Sequence, residues 1–491
     1  MGPSRNARGR RRAVGVASAT VALILGPSAP VLASWPQFQG GPRHEGIGDG
    51  PVAPLAIGWR NDDVELRPSD ASAGLSAPVV ADDGTMVAVG PSEVVAFSST
   101  DGSQRFSVER DLGPPVQPAI AGGPDGPIVV YTEGFGDRPP TGTATAASPS
   151  PSGDADAAFD SHVNAIDLDG RPVWDEPAQL DAIVVAPVTV DDRTAYVADV
   201  DGTITALDLG TGEARWTAGV GSTVAGPATI VEDTVFVSAF GAQAGPGAVV
   251  ALDAATGEER WRTSGDDVTG SLASTPIVTD EALVVLETSS VVALDPDRGS
   301  LRWRTEIVNP TRNPPFLPQG TATPVPVVVG DAVVALDASG RVYALDLGSG
   351  RIRWDHALND ASVLSVPVVA EDQVLVPSDS GTVYALDLAE GTLVWRLDVG
   401  APLVRGLADA GDVLVAVTGF DDAGVVGLSA KTGTLLAEPS PTTLDAGRLL
   451  AGFALGGVLL GAVAVLVARP LQRRLGPADP FPVDDEAAED G

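Results

Sequence analysis

"VYALDLGSGRIRW" occupies residues 342–354, and 41 residues later the chain carries "VYALDLAEGTLVW" at 383–395. The phrase also occurs as "ITALDLGTGEARW" (204–216), "VVALDAATGEERW" (249–261) and "VVALDPDRGSLRW" (291–303), with a shorter "VNAIDLDGRPVW" at 163–174. Divergent copies frame the series. "VVAFSSTDGSQRF" (94–106) puts Phe106 where the others have tryptophan, "VVGLSAKTGTLLA" (425–437) ends without an aromatic, and Trp59 in "LAIGWR" reads as the tail of a ninth copy with no head. The shortest intervals between phrase ends are 41 and 42 residues, so the pattern is eight units with insertions between some of them.

Ahead of each phrase lies a second motif, as in "SAPVVADDGTMVAV" (76–89), "VAPVTVDDRTAYVA" (185–198) and "SVPVVAEDQVLVP" (365–377). Two β-branched runs on either side of an acidic turn make a hairpin, and the phrase itself is a second hairpin turning at its glycine. Each unit therefore holds four strands. The glycines at 212, 257, 299, 350, 391 and 433 stand where a tight turn needs positive φ. The strand runs are apolar on both faces, so each small sheet must be covered on both sides. Repeats of this period with four strands give a closed, all-β propeller, in which neighbouring blades cover one another. Eight blades are expected, with seven as the alternative.

Composition narrows the function. The chain has 491 residues, 44% of them hydrophobic, and 30 basic against 65 acidic residues give a net charge of −35. With Lys431 as its single lysine, the surface lacks the clustered cations that nucleic-acid phosphates require. The absence of cysteine removes disulfides, thiolate nucleophiles and cysteine-ligated metals.

Two segments point to a membrane. Residues 1–34 have arginines at 5, 8, 10, 11 and 12, then a short apolar run and small residues near Ala33, the layout of a cleaved signal peptide. Residues 449–468, "LLAGFALGGVLLGAVAVLVA", are long enough for one transmembrane helix. Arg469, Arg473 and Arg474 follow it, which places the 469–491 acidic tail in the cytoplasm and the propeller, 35–438, outside, joined by a 439–448 linker. Glycines at 452, 456, 457 and 461 have the spacing that lets two helices approach, so a homodimer through the span is one expectation.

On these residues the chain resembles the tryptophan-docking repeats of the PQQ-type β-propellers, and "WPQFQGGPRHEGIGDG" (35–50) is similar to the lead-in such proteins carry. The resemblance implies that Trp174, Trp216, Trp261, Trp303, Trp354 and Trp395 pack between blades. The family includes quinone-dependent dehydrogenases and the lipoprotein scaffold of bacterial outer-membrane assembly, so it leaves function open. The dehydrogenases use a vicinal cysteine pair that this chain lacks, and their calcium ligands find no matching positions here.

The repeated residues read as shape. Asp167, Asp208, Asp253, Asp295, Asp346 and Asp387 recur around a ring and so cannot converge; each is expected to accept backbone N–H groups of its own turn. His44, His162 and His356 have no metal-ligand spacing, and no GxSxG or P-loop occurs. No catalytic residue, cofactor or metal is assigned, and the chain is expected not to be an enzyme.

The insertions are less uniform. The turns joining first to second and third to fourth strands are short, and the excess length, at 133–160, 240–248, 305–322 and 419–424, falls on the opposite face. Phe240, Arg312, Phe316, Leu317 and Phe420 on these loops are the candidate partner contacts. An outer strand ending near Ala437 would deliver the chain to the elaborated face, which would then lie toward the bilayer. The expectation is a membrane-tethered scaffold binding a membrane or envelope protein; the alternatives are a quinone-dependent dehydrogenase or cofactor-binding sensor, and an envelope carbohydrate binder.

Overall fold

The computed structural model describes residues 35–430 apart from 53, 63, 65–73, 135–160, 225, 240–246, 266, 269–273, 288, 308–324, 338–339, 359–365, 404 and 420–423. Its strands form eight separate sheets, each built on four antiparallel strands; the sheet that includes Val368–Ala370 has Ile47–Gly48 as a fifth, parallel strand. Seven blades are thereby excluded. Blades 1 to 7 occupy 79–109, 119–180, 189–219, 229–264, 277–306, 327–357 and 368–398.

Each blade follows from its sequence. In blade 6 the runs Val327–Val329 and Ala332–Leu336 pair across a two-residue turn, and Arg341–Asp346 pairs with Ile352–Ala357 across the phrase glycine. The second strand is buried throughout, because the facing sheets of neighbouring blades cover both its sides. One cluster shows the packing: Val284, Val291, Ala293 and Trp303 of blade 5 meet Val333, Ala335, Tyr343 and Leu345 of blade 6.

The tryptophans dock forward. Trp174 donates its indole N–H to Leu209 O at 2.9 Å, Trp216 to Ala254 O at 2.9 Å, Trp261 to Pro296 O at 3.1 Å, Trp303 to Leu347 O at 2.7 Å and Trp354 to Leu388 O at 2.9 Å. Each bond crosses to the next blade, one residue beyond its repeated aspartate. The ring then lies on that blade's turn glycine. At Gly350, φ is 69° and a Cβ would stand 2.4 Å from the Trp303 ring, so glycine is needed for conformation and for space alike.

Blade 8 is built from both ends of the propeller sequence. Its inner three strands are Ala408–Asp409, Val413–Thr418 and Gly424–Ala430, and its outer strand is Leu55–Asn61, with Leu55 opposite Ala430. Trp59 is therefore not a ninth tail; it takes the outer-strand tryptophan position of blade 8 and donates to Ser99 O of blade 1 at 2.9 Å, closing the ring. The expected outer strand ending near Ala437 is also corrected, because 55–61 fills that position. The last described strand is a third strand, and it ends at Ala430 on the plain face. Residues 1–34 and 431–491, with the expected signal peptide and span, lie outside the described residues. Among the described residues no helix is long and apolar enough to cross a membrane.

Residues 35–50 run around the hub and touch the blades in order. Trp35 exchanges backbone hydrogen bonds with Val80, and Ile120 N–H donates to Pro36 O. The Gln37 side chain pairs with both backbone groups of Val190. Ile230 N–H donates to Pro42 O, Arg43 meets Asp280 at 3.4 Å, Gly46 packs on Val327, and Val369 N–H donates to Gly46 O. The amides of Asp49 and Gly50 reach the Asp409 carboxylate. Inner strands otherwise present unpaired backbone groups to the axis, and this segment supplies partners for them. Its contacts lie at the ends of inner strands nearest the plain face.

Candidate functional site

The four elaborated loops open where the strand order requires. Residues 135–160 follow Gly126–Glu133, 240–246 follow Thr234–Ala239, 308–324 follow Leu301–Glu306, and 420–423 follow Val413–Thr418. These second and fourth strands all run from the plain face to the other, so every long connection leaves on one side. Phe240, Arg312, Phe316, Leu317 and Phe420 themselves lie outside the described residues.

What is described is the floor under those loops. At the root of the longest insertion, Glu133 Oε1 meets His162 Nε2 at 2.8 Å and accepts a hydrogen bond from Asn164, while Glu133 Oε2 accepts the Asp111 amide at 2.8 Å. Asp111 stands 3.9 Å from the same imidazole nitrogen. Arg110 is buried beside them and donates to three carbonyls: Gly90 at 2.8 Å, Pro114 at 2.7 Å, and Thr132. A guanidinium spread over three carbonyls fixes backbone from two blades at once. Within this cluster only the acid Glu133 has counterparts in other blades; for the His162 partner periodicity held no signal.

Buried acids recur on the same face at the turn after the second strand: Glu93, Glu133, Asp199, Glu287, Asp337 and Asp379. Asp199 accepts the amides of Asp201 at 3.0 Å and Thr203 at 2.9 Å, and Asp337 accepts the Arg341 amide and the Tyr343 hydroxyl, each at 3.0 Å. Burial pushes the Asp199 carboxyl up, against its turn amides. The legible signal was D-x-x-G, at Asp199–Gly202 and Asp337–Gly340.

The repeated aspartates do what the turn requires. Asp208 Oδ1 accepts Gly210 N–H at 2.9 Å, Asp253 accepts Ala255 and Thr256 at 3.0 Å, and Asp295 accepts Asp297 and Arg298 at 3.1 Å. Asp346 accepts Ser349 at 3.0 Å, Asp387 accepts Ala389 and Glu390 at 2.9 and 2.7 Å, and Asp167 accepts Asp169 and Arg171 at 2.9 and 2.8 Å. Sequence reasoning missed a second partner, the arginine just before the tryptophan. Arg215, Arg260, Arg302 and Arg353 reach the other oxygen of Asp208, Asp253, Asp295 and Asp346 at 2.6, 2.7, 3.1 and 2.8 Å. Each arginine occupies a β-bulge, as where Ala344 faces Trp354 and Leu345 faces Ile352. The hydrogen bond from Arg353 holds the Asp346 carboxyl down at about 2. These sets are spread one per blade, and among the described residues no three His, Asp or Glu are placed to hold a metal.

At the hub, His44 is fully buried with Nδ1 2.7 Å from Phe38 O and Nε2 2.8 Å from Ala228 O. Burial lowers its pKa, while the two carbonyls work in the other direction. Gln39 and His44 both take positive φ, 50° and 55°, conformations that side chains other than glycine rarely adopt.

The family model described as outer membrane protein assembly factor BamB matches residues 160–337 and 316–448, together more than half of the chain. Among solved structures, BamB from Moraxella catarrhalis is 18% identical, covering 78% of this chain and 99% of its own, with a TM-score of 0.52. The computationally designed Ika8 protein is 13% identical, covering 77% and 100%, with a TM-score of 0.53. A quinohemoprotein alcohol dehydrogenase from Pseudomonas putida HK5 is 13% identical over 84% of this chain and 82% of its own, with a TM-score of 0.41. No curated protein sequence matches the chain. Eight four-stranded blades, tryptophans docked on turn glycines and a family match over most of the ring carry one conclusion: the chain belongs to the BamB family of PQQ-type β-propellers.

Proposed function

We propose that this propeller is a membrane-tethered, extracytoplasmic scaffold that binds a membrane or envelope protein through its elaborated face, without catalysis. The carrying observation is the division of labour between the faces. One has only short turns whose aspartates and glycines are committed to holding backbone, and the other takes every long connection above a floor of buried, hydrogen-bonded acids. A rigid ring displaying irregular loops from one side suits recognition. Phe240, Arg312, Phe316, Leu317 and Phe420 remain the proposed anchors within those loops, and BamB, an assembly factor by its name, supports the scaffold class.

The test uses photo-crosslinking residues at Leu112, exposed between blades 1 and 2 on the elaborated face, and at Asp192, exposed on a plain-face turn. Crosslinking in intact cells is expected to give an adduct with another protein from position 112 and none from 192. Equal adducts, or a preference for 192, would remove the proposal.

A further inference from the structure

The repeat provides its own control for surface chemistry, because every blade has an equivalent of each position. One such position faces the leucine or phenylalanine that follows the alanine of the phrase, two residues before the outer-strand aromatic and next to the plain face. It is held by Gln104 in blade 1, Ala214 in blade 3 and Glu259 in blade 4. In blades 5, 6, 7 and 8 it is Leu301, Ile352, Leu393 and Ile57, each 38–43% exposed, and Val394 beside Leu393 adds a fifth aliphatic at 41%. Of the seven large hydrophobic residues exposed among the described residues, these are five; Leu112 belongs to the other face and Ile47 to the hub segment.

Charge changes along the same arc. The residue after the turn glycine is Glu213 in blade 3 and Glu258 in blade 4, but Ser300, Arg351 and Thr392 in blades 5 to 7. Acids at this position are thus confined to blades 3 and 4; blades 1 and 2 have Ser103 and Arg171, and blades 5 to 7 have neutral or basic residues alongside the aliphatics. The chain also leaves the described structure here, since Ala430 pairs with Leu55 at the plain-face end of blade 8. From Ala430, 18 residues lead to the apolar stretch at 449–468.

We infer that the plain-face rim of blades 5–8 is a lipid-contacting edge, with Leu301, Ile352, Leu393, Val394 and Ile57 entering the headgroup layer. A protein partner would need a contiguous, complementary patch with central anchors, whereas a bilayer accepts single aliphatic side chains spaced one per blade. The exit at Ala430 brings the tether to this same edge and leaves the elaborated face directed away from the bilayer. The inference rests on the membrane tether of the proposed function.

The experiment reconstitutes full-length chain, free of native cysteine, with one environment-sensitive fluorophore at Leu393→Cys or at the blade 4 control Glu259→Cys, in phosphatidylcholine vesicles. The label at 393 is expected to shift to shorter wavelength and to lose intensity when spin-labelled lipid is included, and the label at 259 to do neither. A second variant, Ile57→Asp with Leu301→Asp, should remove the effect at 393 while the chain still floats with the vesicles. Vesicle-bound protein with equal signals at 393 and 259 would overturn the lipid edge alone. Extraction by alkaline carbonate would overturn the tether, and this inference with it. A disulfide between two copies through 393 would assign the edge to a second copy and overturn lipid contact.

Discussion

Blade 6 and blade 8 have the same four-strand plan but differ in where the strands come from. Blade 6 is continuous from 327 to 357, and each pairing closes a loop of a few residues. Blade 8 pairs Gly424–Ala430 with Leu55–Asn61, so its last ladder closes the whole ring. Loop closure of that length is entropically costly but weakly dependent on further length, and its reward is that no blade is left with an uncovered face. The difference teaches that one strand carries the closure that the repeat leaves undone.

The largest effects should come from the two docking tryptophans. Trp354→Ala and Trp59→Ala are each expected to cost about 3–5 kcal/mol, the range for truncating a packed aromatic, read from urea unfolding. They should differ in kind. Removing Trp59 also withdraws the bond to Ser99 O that joins first and last blades, so limited proteolysis should cut near Leu55–Asn61 first in that variant only. Identical cleavage patterns for both would mean that the closing strand is held no differently from a continuous one.

A smaller change sharpens the contrast. Opposite the tryptophan, blades 3 to 7 have alanine: Ala206, Ala251, Ala293, Ala344 and Ala385. Blade 8 has Gly427, where a Cβ would stand 2.2 Å from the Trp59 ring. Gly427→Ala restores the repeat residue and should nevertheless destabilise by about 1–3 kcal/mol through overpacking. Ala344→Gly should cost roughly 0.5–1 kcal/mol. A neutral Gly427→Ala would show that Trp59 can retreat to the position its counterparts occupy.

The same comparison explains what the sequence made legible. Blade 6 could be read because its strands, turn aspartate, turn glycine and tryptophan all fall in one window. Trp59 showed the aromatic, but nothing local says that its partner strand lies at Gly424–Ala430, so the outer strand was placed near Ala437 instead. The hub segment was visible only as a lead-in, because its work is to pair inner strands of blades far apart in sequence. Asp346 was legible as a turn cap, while Arg353 was passed over because a bulge, invisible to a period-two pattern, aims it back at that aspartate. Glu133 has counterparts among the buried acids of other blades, but its His162 partner occurs once, so the repeat carries no signal for the pair.

The hub should respond to pH. The His44 pKa is lowered from 6.5, so below that value the unfolded chain binds a proton that the folded chain resists. Stability from this residue is full above about 6.5 and falls as pH drops toward the folded pKa. His44→Gln keeps a donor for one carbonyl but cannot take the proton. Urea midpoints of the parent should therefore fall from pH 7.5 to pH 5.5 more than those of the variant; parallel curves would remove His44 as the titrating group.

The smallest expected effect separates two copies of one phrase. Asp346 caps its turn and pairs with Arg353, whereas Asp387 caps its turn with Val394 at the arginine's position. Both carboxylates are at the surface, where single ion pairs contribute little and are screened by salt. Arg353 nevertheless holds the Asp346 carboxyl at about 2, below its ordinary 3.8. A lowered pKa contributes stability that is present above the unfolded value and is lost as pH falls through the folded one. Asp346→Asn should thus lower the urea midpoint slightly at pH 7, and the difference from parent should shrink between pH 4 and pH 2. The pH 7 difference should also shrink in high salt. Asp387→Asn loses turn capping alone, so its smaller difference should be less sensitive to salt. If the two variants respond alike to salt and acid, the arginine in the bulge contributes nothing beyond the turn, and the distinction between blades 6 and 7 at the rim is one of shape only.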